Sequence, residues 1–417
     1  MSIRTMAMHG VIRQSLLHGA WPWIRMCVQT TTVVLLAVVM EAPDFGRYAT
    51  ALALASCIAP LLVAGPAFVY LDSHAAFGST REQIATVWTR ALFVLGFGAA
   101  IGVAAGMALF AGAWEHWGLW CLVGISEIVL LGFVELRARR HQAAAEFNAM
   151  GAWQAAPHVL RLGLAALFLT SGRALPLATW VWVAFGAAFL AALGAGNVKR
   201  QDAPRGLDSL MRLVRVGFRY GSYGVNKHAI ADGDKVFVAR IVSPVASGAL
   251  FLAQRLIDLV CFPLQVAIVN ALPRLLEAEP EMRGALWRRA LLWPGLYAVA
   301  ASASLIAISP LLRNLGPHYT IAMMAMAWLW WVPILGFLRG TLGNAAVLAG
   351  RGDAYVRALF VGALMRVIGA ICLLGLFGWE GALLSLLLAE VASILCLLAV
   401  ARKPRAVATV QATPPIP

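Results

Sequence analysis

Residues 242–265 read VSPVASGALFLAQRLIDLVCFPLQ, and residues 41–62 read EAPDFGRYATALALASCIAPLL. In each, a short loop containing proline leads to a glycine, Gly46 or Gly248. An apolar helix with an internal proline follows, Pro60 or Pro263. The Gly–Pro spacings are 14 and 15 residues. Residues 41–62 follow the first long apolar stretch of the chain and residues 242–265 follow the seventh. Six helices return a chain to the side of a membrane from which it started. The two halves are therefore expected to be parallel repeats about an axis along the membrane normal, an arrangement that places a substrate site between two lobes.

Composition leads to the same architecture. The chain is 61% hydrophobic and 12% charged, with a mean hydropathy of +0.80. So apolar a chain of 417 residues cannot cover itself with polar groups in water. A spanning helix needs roughly 20 apolar residues. Twelve stretches qualify as candidate spans, centred near residues 30, 60, 102, 126, 163, 186, 229, 258, 299, 332, 366 and 391. Their apolar runs do not alternate with period two, which excludes a β-barrel. The expected fold is an all-α polytopic membrane protein with two six-helix lobes. Residues 1–200 form the N-lobe, and residues 201–417 form the C-lobe with a short cytoplasmic tail. The longest inside loop, about 197–219 with KRQDAPRG at its centre, separates them.

Of the 33 basic residues, most fall in segments that are cytoplasmic if the N-terminus is inside. The outside loops carry only Arg47, Arg173 and Arg313. This asymmetry places both termini in the cytoplasm. Because the basic residues alternate by loop and share no soluble face, the net charge of +14 does not indicate nucleic acid. Cys27, Cys57, Cys121, Cys261, Cys372 and Cys396 all fall in candidate helices with no CxxC pair, so they read as packing residues. No metal site, cofactor site or catalytic motif is found, and no loop is long enough to fold a catalytic domain. The apolar run near the N-terminus has no small-residue cleavage site after it and reads as a retained helix. Tryptophans near span ends, such as Trp114, Trp117, Trp180 and Trp293, read as interfacial anchors, whereas Trp328, Trp330 and Trp331 lie deeper.

The charges inside candidate spans are the informative ones. Each costs about 2.5–3.5 kcal/mol to insert at mid-bilayer and usually faces protein or a water-filled cavity. Arg25, Gln29 and Thr32 form one polar stripe on the first span. Either they line a cavity or Arg25 snorkels to the interface. In the seventh span, HAIADGDKVFVAR (His228–Arg240), Lys227 and Asp234 are seven apart and share a helical face. Lys227 and Asp232 are expected at a cavity, and Lys235 and Arg240 in solvent at the outer interface. Arg255 and Asp258 can pair at i, i+3. Arg339 and Arg366 sit in spans ten and eleven. Glu127 and Glu390, near mid-span in four and twelve, are each expected to be neutral or paired.

Several stretches resemble a known family. EAPDFGRYATALA is similar to the first outside loop and second helix of polysaccharide-biosynthesis (O-antigen/exopolysaccharide) flippases of the multidrug/oligosaccharidyl-lipid/polysaccharide exporter superfamily. DGDKVFVARIVSPVASGALFLAQRL resembles their seventh helix and the start of the eighth. LGPHYTIAMMAMAWLW, VLAGRGDAY and GWEGALLSLLLAE resemble later connections, in the same order. The resemblance implies an inner-membrane flippase for undecaprenyl-diphosphate-linked oligosaccharide, with a central cavity between two lobes. Its partners would be that glycolipid, membrane lipids and polysaccharide polymerase and export proteins. With twelve helices the chain lacks the two extra helices and hydrophobic groove usual in peptidoglycan-precursor flippases of that superfamily. Arg47 in the first loop and the sparsely polar N-lobe depart from the family pattern. The candidate substrate-binding residues are Arg25, Gln29, Lys227, Asp232, Arg255 and Arg366, with Arg255 resting partly on the family position. The alternatives are a cation-coupled multidrug exporter of the same superfamily and a non-transporting scaffold of a polysaccharide-synthesis complex. An exporter of that kind predicts an acidic cavity, yet the first two spans contain no carboxylate.

Overall fold

The computed structural model of the chain describes residues 3–71, 80–195, 207–277 and 280–402. Among the described residues, twelve helical passes follow one another. In the first half they are α1 (Ile3–Val39), α2 (Ala42–Leu62) continued by α3 (Ala64–Leu71), α4 (Arg81–Ala111), α5 (Trp117–Gly124) running through a π-turn into α6 (Leu131–Ala143), α7 (Phe147–Ser171) and α8 (Leu177–Gly194). In the second half they are α9 (Leu207–Asp232) with α10 (Lys235–Ile241), α11 (Pro244–Glu277), α12 (Pro280–Ile308), α13 (Thr320–Trp328) with α14 (Val332–Leu348), α15 (Gly352–Phe377) and α16 (Trp379–Arg402). Among the described residues there is no strand. The chain is a multi-pass membrane protein. The KRQDAPRG loop lies outside the described residues.

Ten of the passes are long and apolar enough to cross a bilayer on that ground alone. The fifth (α7) and the seventh (α9–α10) are not among them. These two carry His158 and Arg161, and Lys227 to Arg240, so their polarity has to be offset by neighbouring helices.

The breaks follow from backbone chemistry. Pro60 has no N–H to give, and the second pass breaks at Val63 before resuming. The seventh pass breaks at Gly233 between two aspartates, where Gly233 N–H still donates to Ala229 C=O at 2.9 Å. The third pass starts with a reciprocal cap. Gln83 N–H donates to Thr80 Oγ1 at 3.3 Å and Thr80 N–H donates to Gln83 Oε1 at 3.0 Å. It ends on Gly112 in the left-handed region, φ 68°.

The repeat seen in the sequence is also a contact. The second pass packs along both the seventh and the eighth, and the first packs on the eighth. A twofold that carries pass one onto seven and two onto eight requires this pattern. At its centre, Gly46 and Gly248 face each other. A Cβ on Gly248 would lie 2.8 Å from Gly46 Cα, and a Cβ on Gly46 would lie 1.8 Å from the carbonyl oxygen of Pro244. Next to them the Thr50 and Ser247 hydroxyls are 2.8 Å apart, and Ser247 Oγ donates to Lys235 C=O at 3.0 Å. Phe45 meets Tyr319 edge-on, with ring centroids 6.2 Å apart, and Tyr319 donates its hydroxyl to Ala37 C=O at 2.8 Å. Further along, Gly65 abuts Gly217 in the same way.

Because backbone meets backbone at this junction, Gly46→Ala should lower stability by roughly 3 kcal/mol or prevent assembly. Gly102→Ala, where a Cβ meets open space, should change it by less than about 0.5 kcal/mol. Thermal unfolding of the purified protein in detergent compares the two.

Candidate functional site

The intramembrane charges of the second half form three groups. The first is closed. Asp234, fully buried, lies 2.8 Å from Lys235 Nζ and 2.8 Å from Arg366 Nη2. Arg366 also donates to Ala382 C=O and, at 2.8 Å, to Ser385 Oγ. Lys235 reaches Ala231 C=O at 3.3 Å. Both cations are only 2% exposed. Lys235 is therefore a buried ion-pair partner and not the solvated interfacial residue expected from its place near the helix end. The reason is that α10, after the break at Gly233, packs among the second, third, eighth and eleventh passes. Lys227 lines the cavity and Asp234 lies in the closed cluster, so the two do not share a site as their common face suggested. Arg240 is exposed as expected, with its guanidinium lying over Gly112.

The second group joins the seventh and eighth passes. Arg255 Nη2 donates to Asp232 Oδ2 at 2.6 Å, and its Nη1 reaches Asp258 Oδ2 at 3.4 Å. The guanidinium lies 4.6 Å from the Phe251 ring centroid. The i, i+3 pairing expected for Arg255 and Asp258 is present, with Asp232 as the closer partner.

The third group surrounds a cavity with about 1050 Å³ of empty space. Five passes line it. The seventh offers Tyr223 and Lys227, the eighth Gln254, Asp258 and Gln265, the tenth Arg339 and Asn344, the eleventh Tyr355 and the twelfth Glu390. Lys227 Nζ donates to Gln265 Oε1 at 2.9 Å. Arg339 Nη1 is 2.9 Å from Glu390 Oε1. Asp258 accepts from Gln254 Nε2 at 2.9 Å. The tenth pass can present Arg339 here because a 3₁₀ turn at Leu329–Trp331 and Pro333 interrupt it. Trp328 and Trp330, on that turn's outer side, are exposed and do not line the cavity.

In the interior of the C-lobe, five cations (Lys227, Lys235, Arg255, Arg339 and Arg366) stand against four carboxylates (Asp232, Asp234, Asp258 and Glu390). The surplus is Lys227. Among the described residues it is the cation of this set whose partner is a neutral amide. Such a charge in a concave, partly dry site attracts an anion.

The first half holds the other two candidates. Gln29 Nε2 is 2.9 Å from His158 Nε2, across the first and fifth passes. Arg25 is half-buried and within electrostatic reach of Glu135 and Arg139. Arg161 Nη2 pairs with Glu127 at 2.6 Å and donates to Ser126 Oγ at 2.7 Å, inside the π-turn Ile125–Leu130. Both mid-span carboxylates, Glu127 and Glu390, are thus paired. Of the six sequence candidates, Lys227 lines the cavity, Asp232 and Arg255 pair beside it, and Arg366 lies in the closed cluster. Arg25 and Gln29 belong to N-lobe contacts. The polar cavity residues that were not singled out are Gln254, Gln265, Asn344, Tyr223 and Tyr355. They are common side chains with no motif around them, and only tertiary packing brings them together.

Removing one member of a buried pair costs about 3–5 kcal/mol, because it strands a charge. Asp234→Asn strands two cations, whereas Arg366→Met leaves the Asp234–Lys235 pair intact. Asp234→Asn should therefore lose folded protein where Arg366→Met retains most of it, as read from yield and thermal unfolding in detergent.

No protein-family model matches the chain, and no curated protein does. Solved structures do match over nearly its whole length. A lipid II flippase, MurJ, in an inward closed conformation superposes with a TM-score of 0.75 at 13% identity, covering 93% of this chain and 88% of that one. An inward-facing multidrug resistance MATE family transporter of the MOP superfamily gives 0.63 at 13% identity, covering 92% and 93%. A MOP superfamily transporter from Pyrococcus furiosus, described for the reverse polarity of its binding pocket, gives 0.58 at 14% identity, covering 93% and 95%. At such identities the likeness establishes the architecture: the chain has the two-lobe fold of MOP superfamily transporters.

Proposed function

We propose that the protein is a flippase that moves an undecaprenyl-diphosphate-linked oligosaccharide from the cytoplasmic to the outer leaflet of the bacterial inner membrane by alternating access. Both termini would be cytoplasmic, and the product would feed polysaccharide export. The observation that carries this reading is Lys227, a cavity-lining ammonium held by an amide and not by a carboxylate. A diphosphate cannot cross hydrocarbon unaided, and a surplus cation shields it on the way. Asn344, Gln265 and the two tyrosines suit hydroxyl-rich sugar. The likeness to a lipid II flippase and the basic side chains near the cavity support the same substrate class. Arg255 and Asp232 would fix the cavity wall, and Arg366 would hold the seventh pass through Asp234. Arg25 and Gln29, on the facing lobe, are proposed to meet the headgroup when the lobes rock.

Asp258 and Glu390 on the cavity wall, with the likeness to multidrug transporters, favour a second reading, a cation-coupled drug exporter. Reconstituted protein separates the two. A short-chain diphosphoprenyl oligosaccharide should be translocated in proteoliposomes, as read by protection of its headgroup. Lys227→Ala should weaken binding about 10- to 100-fold, the worth of a hydrogen bond to a charged group. Lys227→Arg should retain most of it. Extrusion of a cationic dye with no glycolipid movement would establish the exporter instead.

A further inference from the structure

Arg339 and Glu390 are, among the described residues, the ion pair with both members on the cavity wall. Glu390 is 4% exposed, and its Oε2 has no hydrogen-bond partner. Arg339 Nη1 approaches Glu390 Oε1 to 2.9 Å but makes no hydrogen bond. Arg255 donates to Asp232; Arg366 makes no hydrogen bond to Asp234 but is anchored by Ala382 and Ser385, and among the described residues Arg339 has no such anchor. The Arg339–Glu390 contact is thus held by charge alone, on the wall of a cavity large enough for a ligand. A guanidinium prefers two aligned bonds to an anion, and here it makes none with Glu390.

We infer that Glu390 is the chain's own occupant of an anion position on Arg339, and that a substrate diphosphate displaces it there with uptake of one proton by Glu390. This rests on the flippase reading above. The charge balance runs as follows. The arriving phosphate oxygens replace the carboxylate on Arg339, which keeps its charge. Glu390 then has no cation in contact and no donor for Oε2. The groups around it are Lys227 and Tyr223 on the seventh pass, Asp258 and Cys261 on the eighth, Arg339 on the tenth, Tyr355 and Arg366 on the eleventh. Lys227 is engaged by Gln265 and Arg366 by Asp234. A released carboxylate in that setting takes a proton from water in the cavity, since staying ionised and unpaired carries a large desolvation cost. Substrate binding and proton binding therefore assist each other, and linkage makes the effect reciprocal. Glu390 sets specificity for strong anions, because a neutral headgroup gives Arg339 no reason to release it.

The test uses the purified full chain in detergent and farnesyl diphosphate as the probe. Titration calorimetry in two buffers of different ionisation enthalpy counts protons. Wild-type protein should take up about one proton more per probe bound than Glu390→Gln. From pH 6 to 8 its affinity should weaken about tenfold per pH unit relative to that variant, which should bind more tightly throughout. Farnesyl sulfate, whose anion does not titrate in this range, gives the proton count on wild-type protein alone should the variant not fold. Arg339→Gln should remove the extra proton. Binding with no Glu390-dependent proton uptake would overturn this inference and leave the flippase reading standing. Absence of any wild-type binding to farnesyl diphosphate would overturn both.

Discussion

Asp234, with no exposed surface, lies between Lys235 and Arg366, and the membrane part of the C-lobe depends on that neutralisation. Hydrocarbon offers no solvent for a charge, so every ionised side chain there must find its opposite within the protein or face a wet cavity. The seventh pass is too polar to qualify as a span by apolarity. It exists because the eleventh pass brings Arg366 to Asp234, with Ser385 of the twelfth holding that arginine, and because the eighth brings Arg255 to Asp232. Gly233 makes this possible by letting the helix break between the two aspartates, so that one faces each neighbour. Folding of the C-lobe is thus an ordering problem. The seventh pass cannot settle until its counter-charges, which come later in the chain, are in place.

The lobes meet through the opposite strategy. No charge is needed where Gly46 and Gly248 bring two backbones into contact, and the gain comes from close packing of small residues. Thr50 and Ser247 add one hydroxyl contact at the same place. A junction of this kind is tight but carries little directional bonding. It suits two rigid bodies that part and rejoin more readily than a cross-lobe salt bridge would, since no buried charge is stranded on separation.

The architecture was largely legible in the sequence, because it depends on two signals that read locally. Apolar length marks the passes, and the Gly-to-Pro spacing marks the repeat. The glycines picked out at Gly46 and Gly248 turn out to touch each other. The site was legible only in part. Lys227 stood out as an intramembrane cation, and Arg255 with Asp258 as an i, i+3 pair. Lys235 was misplaced because nearness to a helix end suggested solvent, whereas α10 is packed among four other passes. Arg339 with Glu390, and Lys227 with Gln265, join distant passes, and no spacing along the chain encodes such a meeting.

The twofold also exposes an asymmetry that bears on transport. Gly46 and Gly248 are 202 residues apart, and so are Arg25 and Lys227. The repeat therefore puts a cation at equivalent places in the two lobes. Their surroundings differ. Each is within electrostatic reach of a carboxylate, Arg25 of Glu135 and Lys227 of Asp258, but Lys227 lines the cavity and its hydrogen-bond partner is an amide. On a symmetric scaffold, an anion entering between the lobes would then be drawn to the C-lobe side first. If the chain is a flippase, it must not hold its cargo too well, and this arrangement would avoid that. The cavity cation without a carboxylate in contact is a single flexible ammonium, while the guanidinium of Arg339 is shared with Glu390 and, on the inference above, would yield only in exchange for a proton. Attraction and release would thus be divided between two residues, so that neither makes a trap from which the headgroup could not leave.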